Sequence, residues 1–354
     1  MKHRIGFIGY GNMGGGYHYE VAKDRDDVCD DLKPVAVYDM RESQRELAVE
    51  RGLVAYDNLE DFLAHDDMDI VVVACGNNFH CEMTCKALEA GKHVICEKPV
   101  AMTLDEFDTM VATAKRCGKH FFVHQNRRLD RDFLMVKKAY EDGRLGKIVD
   151  IESNFQGGYM AGWRLLEDHA GGILYDWGVH LIDQLVYLFN EPVKSVYANL
   201  RLDWTSEVDD RSVIEFTFES GVHARVTVCG SHLADCNRFN VYGTDGALKV
   251  ENIYDDSSIL REFNKKPYTA KIMAYSENGA YEREITKYEV DVNKVTYPDD
   301  GTKYEQDWAK LYKNMLDTID GNDEMIVKYD QVKTVLQIIE AAFKSSELGK
   351  SVDL

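Results

Sequence analysis

Short apolar runs punctuate the first third of the chain: Arg4 to Ile8, Val35 to Tyr38, Ile70 to Ala74, His93 to Cys96 and His120 to His124. They are apolar throughout rather than alternating, the pattern of strands in a parallel sheet covered by helices on both faces. Between them lie stretches with helical spacing: Gly14 to Lys23, Arg41 to Arg51, Leu59 to Leu63, His80 to Ala90 and Leu104 to Arg116. Gly91 and Gly118 stand where a helix C-cap is expected, just before the next strand. This alternation predicts a doubly wound α/β sheet.

Beyond Leu129 the pattern changes. One helix is predicted from Asp130 to Glu141, ended by Gly143. Strands of alternating character follow at Ile148 to Phe155, Val193 to Leu202, Arg211 to Glu219, Val222 to Cys229 and Arg238 to Tyr242. Tight turns such as Glu219-Ser220-Gly221 indicate antiparallel pairing. Residues Asn252 to Asp300 are polar, rich in tyrosine and weakly periodic, and predict only one strand, near Lys287 to Val292. Two helices, Tyr304 to Ile319 and Asp330 to Ser346, close the chain. The expected division is 1–126 for a dinucleotide-binding domain and 127–354 for a second α/β domain, whose closing helices can pack back on the first.

Composition adds limits. With 354 residues, two domains are the natural expectation, and 45% hydrophobic with 29% charged residues is an ordinary globular balance. The net charge of -20 repels phosphate backbones and anionic membranes, so nucleic acid and lipid are poor partners and a neutral polyhydroxylated small molecule is a better one. No apolar run is long enough to span a bilayer and the N-terminus reads as no signal peptide, so a cytoplasmic location is expected. The eight cysteines form no Cys-x-x-Cys pair, and Cys81 with Cys85 reads as one helix face, so reduced thiols and no metal are expected.

Gly9-Tyr10-Gly11-Asn12-Met13-Gly14 fits G-x-G-x-x-G between a strand and a helix. Gly9 permits the tight turn, Gly11 the approach of a pyrophosphate, and Gly14 close helix–strand packing. Asp39 ends the second strand where a ribose-binding acid belongs, which favours NAD; Arg41, two residues on, keeps NADP as the alternative. Three polar clusters follow strands and so face the crevice beyond their carboxyl ends. They are Cys75-Gly76-Asn77-Asn78-Phe79-His80, Glu97-Lys98-Pro99, and His124-Gln125-Asn126-Arg127-Arg128, in which one arginine is expected to be structural. A charged pair directly after a buried strand is costly unless the crevice uses it, the competing reading being a surface ion pair between Glu97 and Lys98. Further on, Gly171-Gly172-Ile173-Leu174-Tyr175-Asp176-Trp177-Gly178-Val179-His180 opens an amphipathic helix that would place Asp176 and His180 on one face.

This ordered set resembles the glucose-fructose oxidoreductase / inositol dehydrogenase / MocA family, down to the closing Ala341-Ala342-Phe343-Lys344-Ser345-Ser346. The resemblance implies an N-terminal Rossmann domain and a C-terminal α/β domain with a large open, mostly antiparallel sheet, commonly the contact in a homodimer or homotetramer. It implies catalytic roles for Lys98, Asp176 and His180, and places Trp163-Arg164 near cofactor or substrate. The cofactor contacts expected are Gly9, Gly11, Asn12, Met13, Gly14, Asp39, Cys75, Asn77, His80, Glu97, Lys98, Asn126, Trp163 and Arg164. Lys98, Arg127, Asp176 and His180 are expected to meet substrate. The expected reaction is hydride transfer between nicotinamide C4 and a secondary alcohol of a sugar, cyclitol or derivative. The rivals are a redox-assisted glycosidase that retains NAD and a non-catalytic nucleotide-binding regulator.

Overall fold

The computed structural model describes residues 3–24, 30–157, 160–230 and 236–354. The first strands are β1 (His3–Ile8), β2 (Leu32–Tyr38), β3 (Val54–Tyr56), β4 (Ile70–Val73), β5 (His93–Cys96) and β6 (Phe121–Val123). They form one six-stranded sheet, ordered β3-β2-β1-β4-β5-β6 and parallel throughout. Helices α1 (Tyr19–Asp24), α2 (Glu42–Glu50), α3 (Leu59–Leu63), α4 (His80–Glu89) and α5 (Leu104–Cys117) make the crossovers. Ile70 to Val73 are at most 1% exposed, which is why that run carries no alternation. Helix α5 shows both end signals: the Thr103 hydroxyl accepts from the Glu106 amide, and Gly118 closes the helix at φ 63°. The strand order reverses between β1 and β4, and a ligand crevice opens beyond their carboxyl ends. Strand β3 escapes the sequence pattern because it is three residues long and only partly covered.

The second half begins with α6 (Arg131–Glu141) and β7 (Ile148–Gln156), then α7 (Val179–Phe189) and β8 (Val193–Arg201). Strands β9 (Arg211–Phe218), β10 (His223–Cys229), β11 (Phe239–Gly243) and β12 (Gly246–Val250) follow. Two strands of nineteen residues, β13 (Ser258–Ser276) and β14 (Gly279–Tyr297), precede α8 (Ala309–Ile319), α9 (Tyr329–Leu348) and a short β15 (Val352–Asp353). The second sheet has nine strands in the order β14-β13-β12-β11-β7-β10-β9-β8-β15. It is antiparallel except for the β7–β10 pair.

The closing helices belong to both cores. Leu311, Tyr312, Met315 and Leu316 of α8, with Val332 and Leu336 of α9, are buried among the side chains of the first sheet. Val335, Ile338, Ile339 and Ala342 of α9 are buried with those of the second. Helix α8 begins at Ala309 rather than at Tyr304, and the Trp308 indole just before it donates to the Asp130 carboxylate at 2.9 Å. Segment 252–300 is not irregular: β13 and β14 pair along their whole length, from Ser258 opposite Tyr297 to Ser276 opposite Gly279. Cys81 and Cys85 are unbridged thiols of α4. Among the described residues no helix is long and apolar enough to cross a membrane.

Arg128 is the structural arginine of its cluster. It is 1% exposed, donates Nε and Nη2 to the two Asp183 oxygens at 2.8 and 2.7 Å, and Nη1 to Gln331 Oε1 at 2.7 Å. One guanidinium thereby ties the end of the first sheet to α7 and α9. Removing one partner leaves a buried carboxylate uncompensated. Arg128→Ala is therefore expected to lower the unfolding free energy by roughly 3–5 kcal/mol in urea titration, with much of it recovered in an Arg128→Met/Asp183→Leu pair.

Candidate active site

The glycine loop meets the requirements of a dinucleotide cradle. Gly9 has φ 85° and a Cβ there would lie 2.6 Å from the Ala74 carbonyl oxygen; one at Gly14 would lie 2.0 Å from the Gly9 carbonyl oxygen. A Cβ on Gly11 would meet nothing nearer than Arg41 Nη2 at 3.5 Å, so the space above this residue is open. The helix starts at Asn12 with no side-chain cap, leads through Met13 and Gly14, and its first turns are π-helical up to His18 before α1 continues. Uncapped N–H groups at a helix start over an open glycine suit a diphosphate.

Asp39 stands at the end of β2 with both oxygens engaged. Oδ2 accepts from the Tyr10 amide at 2.7 Å and Arg41 Nη2 at 2.8 Å; Oδ1 accepts from the Arg41 amide at 2.9 Å and Arg41 Nε at 3.0 Å. Burial alone would raise this carboxyl, but the Arg41 and amide hydrogen bonds together hold it below its ordinary value. The Arg41 side chain is 58% exposed, so its far side remains open to a ligand.

The strand-end clusters divide into groups that reach the crevice and groups that support it. Cys75 is half-buried and burial pushes its thiol up to about 12. Asn77 is buried and donates to the Ala170 carbonyl at 3.3 Å. His80, expected at the cofactor, is fully buried instead, with Nδ1 2.8 Å from the Pro99 carbonyl oxygen, so it braces the turn after β5. Asn126 is buried at the start of a short turn over Asn126–Leu129. Arg127, expected to meet substrate, is held among its neighbours: its guanidinium lies 4.1 Å from the Trp177 ring centre, and Nη1 donates to Asp130 at 2.9 Å and Tyr254 at 3.2 Å.

Glu97 and Lys98 do not pair with each other. Glu97 Oε1 accepts from His18 Nε2 and His124 Nδ1, both at 2.8 Å, while Oε2 accepts from the Lys98 amide at 3.1 Å. His18 Nδ1 in turn takes the Tyr312 hydroxyl at 2.6 Å. Burial alone would raise the Glu97 carboxyl; His124 and His18 hold it well below the usual range. His18, Glu97 and His124 are, among the described residues, the one group whose ligand atoms could share a metal ion. Atoms on a common ion stand about 3 Å or more apart, so contacts of 2.8 Å fit hydrogen bonds instead.

Lys98 points the other way. Its Nζ donates to the Asp176 carbonyl at 2.7 Å and to Asp176 Oδ1 at 3.0 Å, and Arg164 Nε holds Oδ2 at 2.8 Å. The Arg164 guanidinium lies 4.5 Å from the Trp163 ring centre, so the Trp-Arg pair reaches this carboxylate as a unit. Against the upward push of burial, Lys98 and Arg164 keep Asp176 below its ordinary value. His180, in the first turn of α7, is 4% exposed and its Nδ1 has no hydrogen-bond partner. Burial, then the positive charges of Lys98 and Arg127, lower its pKa well below the usual imidazole value, so this ring is neutral. The segment Leu174–Gly178 is π-helical, so the simple i, i+4 spacing of Asp176 and His180 passes through a widened turn.

The sequence reading missed His18 and Tyr312, which lie far from Glu97 in the chain, and Asp209. Asp209 accepts from the Leu174 amide at 2.9 Å and from the Ser212 hydroxyl, fixing the turn that carries Asp176. A Cβ at Gly172, where φ is 100°, would lie 2.1 Å from Asp209 Oδ1, so that glycine is required. An acidic pair, Asp209-Asp210, directly before an alternating strand was the available signal.

Burial keeps His18, His80 and His180 deprotonated in the fold, with pKa values below the ordinary one. The unfolded chain takes up these protons near pH 6.5, so stability is full above that value and falls as the pH drops below it, by about 1.4 kcal/mol per pH unit for each ring. Urea unfolding between pH 7.5 and 5 should show this decline, and His80→Asn should make it shallower by close to one proton.

Comparison with known proteins places these features in a lineage. Residues 3–125 match the model of an oxidoreductase family with an NAD-binding Rossmann fold, and residues 133–249 that of the GFO/IDH/MocA C-terminal domain. The chain is similar to an NAD-binding protein of Listeria innocua of known structure, at 35% identity and TM-score 0.85, covering 100% of this chain and 97% of that one. It is 26% identical to the scyllo-inositol 2-dehydrogenase (NADP(+)) of Bacillus subtilis over 99% of this chain and 96% of that protein. It is 29% identical to the myo-inositol 2-dehydrogenase of Thermotoga maritima over 73% and 78% of the two chains. With an NAD-binding Rossmann domain followed by its partner domain, the chain belongs to the GFO/IDH/MocA family of oxidoreductases.

Proposed function

We propose that this protein is a dehydrogenase that moves a hydride between a nicotinamide cofactor and a secondary alcohol of a neutral sugar, cyclitol or close derivative. The observation that carries the reading is the meeting of the Lys98 ammonium and the Asp176 carboxylate beside a neutral, buried His180, at the carboxyl end of β5. The inositol dehydrogenases among the relatives and the net charge of -20, unsuited to anionic substrates, support the substrate class.

The Gly9–Gly14 loop and Asp39 would hold a nicotinamide dinucleotide, which would supply the hydride acceptor or donor. His180, neutral as the chemistry requires, takes the hydroxyl proton as the alcohol carbon loses its hydride, and returns it in the reverse direction. Lys98 donates a hydrogen bond to the same oxygen and stabilises its developing negative charge. Asp176, itself fixed by Arg164, aims Lys98 and accepts from a neighbouring substrate hydroxyl. The Glu97 carboxylate holds the Lys98 amide from behind. Lys98→Ala and His180→Ala should each retain NAD binding by fluorescence titration yet lose about 10²–10⁴-fold in turnover. The substrate class is tested by following NADH formation across free sugars, inositols, sugar acids and glycosides; glycoside turnover without net NADH would replace this reading with the redox-assisted one.

A second reading concerns the cofactor. Arg41 already lies across both Asp39 oxygens and is exposed on its other side, so it can swing to a 2′-phosphate or stay and leave NAD bound. The protein should accept both cofactors. Arg41→Ala should lower kcat/KM for NADP by roughly 10–100-fold and leave that for NAD within a few-fold.

A further inference from the structure

The turn that leads the glycine loop into its helix has a shape that its own residues do not dictate. Gly14, Gly15 and Gly16 follow one another there, and glycine holds no helical turn by preference. Yet the turn is specific. The Gly11 carbonyl accepts from the Gly15 amide at 2.8 Å and from the Gly16 amide at 3.3 Å, so four- and five-residue spacings share one oxygen. The Tyr19 amide then reaches back to the Gly14 carbonyl, again the wide spacing, and passes over the carbonyl of Gly15. A widened turn of this kind persists where its surroundings hold it.

Arg51 supplies that hold. It caps the end of α2, and its Nη1 donates to the Gly15 carbonyl oxygen at 2.6 Å and to the Tyr10 hydroxyl at 3.1 Å. The guanidinium lies 4.6 Å from the Tyr19 ring centre and 5.6 Å from that of Tyr10, while Nη2 stands 3.4 Å from Glu20 Oε1. Tyr10 is fully buried, and a Cβ on Gly15 would lie 3.0 Å from the Tyr10 carbonyl oxygen, so the glycine lets the two segments close on each other. With both Nη1 protons in use and Nη2 turned to Glu20, Arg51 acts on the shape of the loop. The cation beside the cradle itself is Arg41, whose Nη2 lies 3.5 Å from a Cβ on Gly11.

The same helix serves the ribose end of the site. Arg45 of α2 donates through Nη1 to the carbonyls of Asp39 and Met40, both at 2.8 Å. Tyr10 joins the two ends: its amide donates to Asp39 Oδ2 at 2.7 Å and its hydroxyl accepts from Arg51. The amides of residues 12–14, in the first turn of the helix, are the groups a diphosphate would meet, and a shift of the Gly15 carbonyl would turn them with it.

We propose that Arg51 is a positioning residue for the dinucleotide: by holding the Gly15 carbonyl it keeps the turn wide and the amides of residues 12–14 aimed at the diphosphate. The test is NADH binding, followed by its fluorescence, with ADP and adenosine as competitors. It uses no substrate, so its outcome is independent of the reaction proposed above. Arg51→Met keeps the stem against the tyrosine rings and removes the donors. It should weaken NADH and ADP alike by about 10-fold or more, and leave adenosine, which lacks the diphosphate, within about 2-fold. NADPH should lose as much as NADH, which separates this effect from that of Arg41. Arg51→Lys should recover most of the affinity, and Arg51→Gln should behave as Arg51→Met does. NADH binding of wild-type strength in Arg51→Met or Arg51→Gln would overturn the proposal. So would an equal loss of adenosine, the mark of a domain loosened as a whole.

Discussion

The contact between Lys98 and Asp176 is the point on which the rest of the site depends. The lysine follows β5 in the first domain and the aspartate sits in the π-helical turn before α7 in the second, 78 residues on. Their side chains are 17% and 11% exposed, so neither charge is well hydrated. Such a pair persists where each remaining lone pair and proton is taken up nearby. Arg164 takes the second oxygen of Asp176, and the Asp176 carbonyl takes a second proton of Lys98. What results is an ammonium aimed from one domain and oriented by the other, so the site exists only when the two are packed together.

The same logic explains the layered charges behind it. Glu97 is buried and ionised between two imidazoles, one of them backed by the Tyr312 hydroxyl of α8. The carboxylate thus anchors the backbone of Lys98 without drawing its ammonium away from the crevice. The widened π turns stand at both functional ends, Asn12–His18 at the glycine loop and Leu174–Gly178 at Asp176. A π turn adds a residue to the helical circuit and redirects the side chains around it, at a cost that persists where the surroundings enforce it. At the second turn Asp209 does so, through the Leu174 amide and the space a side chain at Gly172 would occupy.

Much of this was legible in the chain itself, for identifiable reasons. The parallel strands announced themselves because burial on both faces removes alternation, and Gly9, Gly11 and Gly14 because backbone crowding admits no side chain at the first and last. Placing strand ends at a crevice and the family resemblance singled out Lys98, Asp176 and His180, of which the structure brings the Lys98 and Asp176 side chains into contact. What stayed hidden depends on distance in the chain or on missing burial. No local pattern joins His18 to Tyr312, 294 residues away. His80 and Arg127 lie in the expected loops, but the side chains turn to the Pro99 carbonyl and to Trp177 and Asp130. The β13–β14 ribbon escaped because alternation is written by one wet and one dry face, and here neither face is dry within a single chain.

Helix α9 sets how far the two halves can move apart. Val332 and Leu336 are buried in the first core while Val335, Ile338 and Ile339, interleaved with them on the same helix, are buried in the second. Arg128 adds a polar tie through Gln331 of that helix. Rotation of one domain against the other would have to drag apolar side chains out of one core or the other, which domains joined by a single exposed linker do not face. The contact between Lys98 and Asp176 is therefore held in place by the packing of the two halves on α9.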